Sequence, residues 1–402
     1  MRILYITNGF PFPLTSGYLR HYYLLRELAA RHRITLLSIV RPSYRPEHAQ
    51  ALAPWVEHVE TFAPHHAAAR KTILRRLRPG AYARSPGAKM AAAVQRLLRE
   101  RHFDAAVFSG KQTFPALAHL GEVPLVADMC DATSLRIRST ARYSPLHRQP
   151  LLWAKYFQLR HIERTLVRKA SALLFASMRD REAVLGSGAR RGVVVPNGVD
   201  LELFRRTTPY RATRTIVFTG AMDYPPNADA AQYLIEKIFP LVRLRVPDAR
   251  LLIVGRDPGP RLTAARQVPG VTVTGFVENV RTHLEEAAVF AAPLRFGAGI
   301  QNKLLEALAM QVPSVASSCA ADGLRTEGGG RPPLVVADGA KPFADALVNQ
   351  LTADPSECTD HDRLRQFVER NFDWQKSGQL VEQALQTAAH LSSSPTLLSV
   401  NH

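Results

Sequence analysis

The sequence has little of what would point to a disulfide-built or metal-built fold. It holds three cysteines, Cys130, Cys319 and Cys358, far apart, odd in number and without metal-ligand spacing. Reduced thiols in a cytosolic compartment are the expectation. The 14 histidines form no HExxH or similar pattern, and His65-His66 reads as part of a loop. No metal and no cofactor is expected. No apolar run approaches the roughly 18 residues of a membrane-spanning helix. Residues 1–7 are apolar, but Pro11, Pro13 and charged residues soon follow, so the stretch reads as a strand and not as a secretory core. No repeat of solenoid period is visible.

What is abundant is positive charge, and it is lopsided. Lys and Arg number 52 against 34 Asp and Glu, a formal net of +18. Residues 1–196 hold 31 basic and 12 acidic side chains, whereas residues 197–402 hold 21 and 22. The whole excess lies in the first half. A one-sided basic field suits an anionic surface or macromolecule. Basic residues cluster at Arg70, Lys71, Arg75, Arg76 and Arg78, and again over 136–169, where Trp153, Tyr156 and Phe157 stand among Lys155, Arg160, Arg164, Arg168 and Lys169. Aromatics beside cations suit the interface of an anionic bilayer. No zinc finger, RNP or helix-turn-helix signature accompanies them, so nucleic acid is not the expected partner.

At 402 residues, 46 % of them hydrophobic, the chain suits two domains of about 200 residues each. Short apolar runs at 2–7, 34–39, 105–109, 125–127 and 172–176 read as buried strands, with helical patterns at 18–31 and 89–101 between them. The pattern starts again at 215–219, 250–254, 271–274, 289–292 and 314–316, separated by helices near 228–245, 280–287, 301–310 and 342–351. Two doubly wound α/β domains in series follow from this alternation. The expected divisions are a first domain over 1–196, a linker over 197–212, a second domain over 213–371, a closing helix over 372–391 and a disordered tail from 392.

Ligands of such sheets bind beyond the carboxyl ends of the strands. In the second domain the strand ending at Ala292 is followed by Arg295-Phe296-Gly297-Ala298-Gly299-Ile300-Gln301-Asn302-Lys303 and a helix. Glycines before a helix let the backbone approach an anion, and the free N–H groups favour phosphate. Lys303 adds a charge suited to a diphosphate, and Glu306, one turn on, could accept from ribose hydroxyls. In the first domain Asn8 to Arg20 follow strand one with Gly9, Ser16 and Gly17. Tyr22 and Tyr23 fit core positions and are assigned no role. Asp128 and Asp131 follow the 125–127 strand and are expected to point into the cleft. Either could orient or deprotonate an acceptor hydroxyl, and equally either could cap a helix or pair with Arg136 and Arg138.

The segment Pro293-Leu294 … Gly299-Ile300-Gln301-Asn302-Lys303-Leu304-Leu305-Glu306-Ala307-Leu308-Ala309 … Val312-Pro313-Ser314-Val315-Ala316 resembles the donor-site motif of family 4 glycosyltransferases. The likeness extends to Phe218-Thr219-Gly220 with Pro225-Pro226-Asn227-Ala228-Asp229, to Leu252-Ile253-Val254-Gly255-Arg256, and to Val273-Thr274-Gly275-Phe276-Val277. Val195-Pro196-Asn197-Gly198-Val199-Asp200 resembles the interdomain crossing, and Phe372-Asp373-Trp374 the closing helix. The branch is similar to the sugar transferases of exopolysaccharide clusters, including those associated with PEP-CTERM systems. The resemblance implies a GT-B fold of two facing Rossmann-like domains. It also implies retaining transfer of a sugar from a nucleotide diphosphate to a polysaccharide or lipid-linked glycan. The place of action would be cytoplasmic, peripheral at the inner membrane face. Carried over by position, the donor site comprises Gly17, Arg256, Phe276, Val277, Gly299, Ile300, Gln301, Asn302, Lys303 and Glu306, with Asp131 and Lys303 in catalysis. Two departures stand out. Ala298 occupies the place of the family's first glutamate, and Ala221 and Pro226 replace an Arg and a Lys, so that Lys303, helped by Arg256 or Arg295, would supply the charge. A nucleotide-sugar epimerase or a non-catalytic basic binding protein on the same fold are the alternatives.

Overall fold

The computed structural model describes all residues except 15–17, 43, 64–84, 188, 190, 210–212, 354–360 and 394–402. Gly17, His65-His66, the 70–78 basic cluster and most of the 392–402 tail lie outside the described residues.

The first sheet has seven parallel strands: β1 (Arg2–Thr7), β2 (Arg33–Ile39), β3 (His58–Phe62), β4 (Ala105–Ser109), β5 (Leu125–Cys130), β6 (Ala172–Phe175) and β7 (Val193–Val194). Their order is β3-β2-β1-β4-β5-β6-β7. The second has six: β8 (Thr215–Thr219), β9 (Arg250–Val254), β10 (Val271–Val273), β11 (Val289–Ala292), β12 (Ser314–Ala316) and β13 (Val335–Val336), ordered β10-β9-β8-β11-β12-β13. In each sheet the order reverses beside the first strand, between β1 and β4 and between β8 and β11. Those reversals are where such sheets open a ligand crevice. Central strands β4, β8 and β11 are buried along their whole length, as expected of strands covered on both faces.

Strand β5 outruns its apolar run by three residues. It continues through Asp128 to Cys130, with a register irregularity between the two and a left-handed Cys130 (φ 52°). Asp128 is therefore a strand residue, 3 % exposed, and does not point into the cleft. The reason is electrostatic. Its two carboxylate oxygens accept from Arg20 Nε and Nη2 at 2.9 and 3.1 Å, which satisfies a charge that would otherwise be too costly to bury.

The closing helix, expected over 372–391, runs from Trp374 to Ser393. Helix His361–Asn371 ends on the second domain, Phe372 packs in that domain's core, and a new helix, Trp374–Ser393, returns to the first domain. There Val381, Ala384, Leu385 and Ala388 join the core formed with β1 and β2. Gly378 allows the approach, since a Cβ on it would stand 2.5 Å from Glu27 Cβ. Trp374 stacks on Tyr23 at 4.8 Å, and the Tyr23 hydroxyl donates to Asp200 at 2.9 Å. Tyr23, given no role from its spacing, thus fastens both crossings between the domains.

Candidate functional site

Helix Asn302–Ala309 begins at Gln301, whose side chain does not cap it. The N–H groups of Asn302 and Lys303 precede the helix's first hydrogen bond, which runs from the Leu304 N–H to the Gln301 carbonyl at 2.8 Å. Lys303 emerges from the first turn and Glu306 from the next, both partly buried. The Lys303 ammonium donates to Gln301 Oε1 at 3.0 Å and lies 5.9 Å from the Phe218 ring centroid. Burial lowers the Lys303 pKa to about 8, against a smaller opposing effect of Glu306. Burial likewise raises Glu306 to about 7, with Lys303 opposing. Two groups one turn apart are thus both poised near neutrality, a pattern typical of functional sites.

The glycine loop ahead of the helix is held by the first domain. Asp131 lies against it: a Cβ at Gly299 (φ 73°) would meet Asp131 Cβ at 3.3 Å. The Gly299 N–H donates to Asp180 Oδ1 at 3.3 Å, and its carbonyl accepts from Arg179 Nη2 at 3.1 Å. Arg179 Nη1 also donates to the Cys319 carbonyl at 2.7 Å, and Asp180 accepts from the Ala132 N–H at 2.9 Å. The Gly299 N–H is therefore already engaged by a carboxylate. Asp131 keeps its cleft position but is not a free base, because Arg136 Nε stands 3.3 Å from it and Thr133 Oγ1 donates to it at 3.1 Å. Arg136 reaches on toward Tyr224 of the second domain, 6.0 Å from its ring centroid.

Asn302 belongs to a different network. Its Oδ1 accepts from Asn197 Nδ2 at 3.1 Å, and Asn197 Oδ1 in turn accepts from Arg20 Nη1 at 3.1 Å. Arg20 Nη1 also donates to the Val195 carbonyl at 2.7 Å. The first helical residue of the glycine-loop helix is thus tied through the crossing to the buried Arg20–Asp128 pair.

The remaining predicted residues are more dispersed. Arg256 pairs with Asp257 at 3.0 Å and lies 3.8 Å from Asp223. Arg295 is engaged by Asp229 at 2.9 Å and lies over the rings of Tyr143 and Tyr233, so its charge is already matched. Phe276 is 73 % exposed beyond β10, while the Val277 and Ile300 side chains pack against the second core. Ala298 is 6 % exposed, so the place of the missing glutamate is filled by a small apolar residue. Among the described residues no group of three His, Cys, Asp or Glu side chains could hold a metal ion.

Sequence reasoning missed Arg179, Asp180 and Asn197 as site-forming residues, while Arg136 pairs with Asp131 as one of the expected alternatives had it. One signal was available for two of them. Arg179 and Asp180 follow β6 after the helix-capping Ser177, at the carboxyl edge of the sheet where ligands gather.

Residues 213–353 match the family profile "Glycosyl transferases group 1". A curated relative, phosphatidyl-myo-inositol mannosyltransferase of Mycolicibacterium smegmatis, is 31 % identical over 198 residues, 47 % of this chain and 50 % of that protein. The chain thus spans about half the length of the curated relative it matches. Solved structures align over nearly the whole chain. Anabaena HepE in complex with UDP has a TM-score of 0.66 at 16 % identity, covering 96 % of this chain and 100 % of that one. Sucrose-phosphate synthase of Thermosynechococcus elongatus has a TM-score of 0.69 at 16 % identity, covering 98 % and 100 %. Residues 213–353 are therefore a group 1 glycosyltransferase domain, set in a chain whose two facing parallel sheets are those of the GT-B fold.

Proposed function

We propose that the chain transfers a sugar from a nucleoside-diphosphate donor to a hydroxyl of a glycan or lipid-linked glycan, with retention at the anomeric carbon. The observation that carries this reading is the partly buried pair Lys303 and Glu306, one turn apart at the start of a helix that follows a glycine loop. An ammonium there suits the diphosphate leaving group, and a carboxylate one turn on suits a ribose. Asp131, clamped by Arg136 against the glycine loop, would orient the acceptor rather than accept its proton freely. The departing diphosphate would take that proton. HepE, with the same fold, has been solved with UDP and with UDP-glucose, which makes a uridine nucleotide the first donor to try.

A thermal-shift panel of UDP, GDP and ADP and their sugars tests the reading. One nucleoside diphosphate should raise the melting temperature by mass action. A panel with no shift at saturating ligand would falsify the donor site. Product analysis without acceptor separates transfer from epimerisation, since an epimerised donor sinks the transferase reading.

The finer setting we infer is surface polysaccharide synthesis at the inner face of the membrane. Among the described residues no helix is long and apolar enough to cross a bilayer. Support for peripheral binding comes from helix Gln149–Lys169 and the turn before it. Leu146, Leu151 and Phe157 are 81, 74 and 65 % exposed there, beside Arg148 and Lys155. Apolar side chains set among cations fit an anionic headgroup layer. Flotation with liposomes should therefore require anionic lipid and weaken as salt rises. Absence of binding at low salt discards the membrane placement.

A further inference from the structure

The wall that the first domain presents carries more positive charge than its own carboxylates match. Lys111 sits just past β4, partly buried, in a turn fixed by Thr113 Oγ1, which donates to the Gly110 carbonyl at 2.7 Å. Arg136 comes from helix Thr133–Arg142 and Lys155 from the exposed start of helix Gln149–Lys169, two helices packed against each other. Burial lowers the Lys111 pKa, and the nearby charges of Lys155 and Arg136 lower it further, with Asp131 opposing. Asp131 is already shared with Arg136. Among the described residues neither Lys111 nor Lys155 forms an ion pair.

Like charges gathered this way repel, and each disfavours the other's charged form. A bulk solvated face would let the two lysines splay apart. Here strand register sets the place: Ser109 at the end of β4 lies opposite Asp128 of β5, so Lys111 and Asp131 leave the ligand edge of the sheet side by side, with Arg136 3.3 Å from Asp131 and Asp131 against Gly299. An oxyanion between the two lysines would turn that repulsion into charge-assisted hydrogen bonds.

We propose that Lys111, Lys155 and Arg136 form a subsite for an anionic oxygen group, a phosphate or a carboxylate, carried by the acceptor close to the hydroxyl that receives the sugar. The word acceptor rests on the transferase reading above. The anion preference itself does not. A phosphate would come from a lipid-linked diphosphate, a carboxylate from an acidic sugar.

The test is a calorimetric titration of the whole chain, saturated with UDP so that the donor site is filled, with two matched probe pairs. Geranyl diphosphate is compared with geraniol, and trigalacturonate with cellotriose. The charged member of one pair should bind at least tenfold more tightly than its neutral partner, and that pair names the source. Lys155→Ala, at an exposed position that folding does not need, and Lys111→Gln should each reduce the preference severalfold while leaving UDP affinity unchanged. The same affinity for charged and neutral members of both pairs overturns the subsite. So does a preference that survives both substitutions together. A chain that binds no nucleoside diphosphate but keeps the anion preference removes the transferase reading and leaves the subsite standing.

Discussion

Nucleoside-diphosphate affinity is expected to fall as pH rises from 7.5 to 9.5, by roughly 25-fold, and Lys303→Ala is expected to abolish that dependence. The sign follows from the ammonium. In the free protein burial holds the Lys303 pKa at about 8. A bound diphosphate favours the charged form, so binding takes up a proton wherever the free side chain has lost it. Affinity then declines above the free pKa, approaching tenfold per pH unit. The size quoted is the change in protonated fraction across that interval for a pKa near 8. Glu306 shapes the other limb. With a pKa raised to about 7, it accepts from ribose hydroxyls as a carboxylate above that pH and loses part of that capacity below it. The profile is thus expected to peak between 7 and 8. Lys303→Arg keeps its charge across the whole range and should flatten the alkaline limb, while Glu306→Gln should flatten the acid limb. At pH 7.5 Lys303→Ala itself should weaken binding by about 10- to 100-fold, the weight of a hydrogen bond to a charged group. Titration calorimetry in buffers of different ionisation enthalpy reads both the affinity and the proton uptake. A wild-type affinity that stays level from 7.5 to 9.5 takes Lys303 out of the site.

That the helix bearing Lys303 could be found from sequence while its clamp could not has a physical basis. The strands of both sheets are apolar on both faces, so β1, β4, β8, β9 and β11 stand out as short continuous runs. The exceptions are the half-exposed β3 (His58–Phe62) and the two-residue β7 and β13. At those lengths a ladder is decided by the neighbouring strand and not by local pattern. The glycine loop and its helix were readable because phosphate recognition by backbone is a local arrangement. The clamp is not local. Asp180 and Gly299 are 119 residues apart, and Arg179 comes from a short polar helix with no apolar stripe. Asp128 misled for a related reason. Its neighbours Leu125, Val126 and Ala127 end the apolar run, and only Arg20, 108 residues earlier, makes burial of the next position tolerable. The family profile shows the same division, since it covers 213–353 and none of the first domain.

Asp128→Ala is expected to destabilise the protein by about 3–5 kcal/mol, the usual consequence of leaving one member of a buried ion pair unmatched. The Arg20 side chain is 4 % exposed and the Asp128 side chain 0 %. Removing the carboxylate therefore strands a guanidinium that water does not reach. Burial works to raise the Asp128 pKa, but the charge and hydrogen bonds of Arg20 outweigh it and hold the carboxyl below its ordinary value. A depressed carboxylate contributes stability that is present above its unfolded pKa and lost as pH falls through the folded one. The difference between wild type and variant should consequently narrow under acid conditions, below the ordinary aspartate range. The pair also has a longer reach. Arg20 holds Asn197, and Asn197 holds Asn302 at the start of the glycine-loop helix. Asp128→Ala should then weaken nucleoside-diphosphate binding even at temperatures where the chain stays folded. Replacing both partners separates the two effects. In Asp128→Leu with Arg20→Met no charge is left buried, so stability should recover most of the loss, while the link to Asn197 and Asn302 remains cut. Thermal denaturation and ligand titration on the single and double variants distinguish the outcomes. A double variant as unstable as the single one would show that packing rather than the unmatched charge sets the cost. One that regains both stability and donor affinity would show that Asn302 holds its place without Arg20.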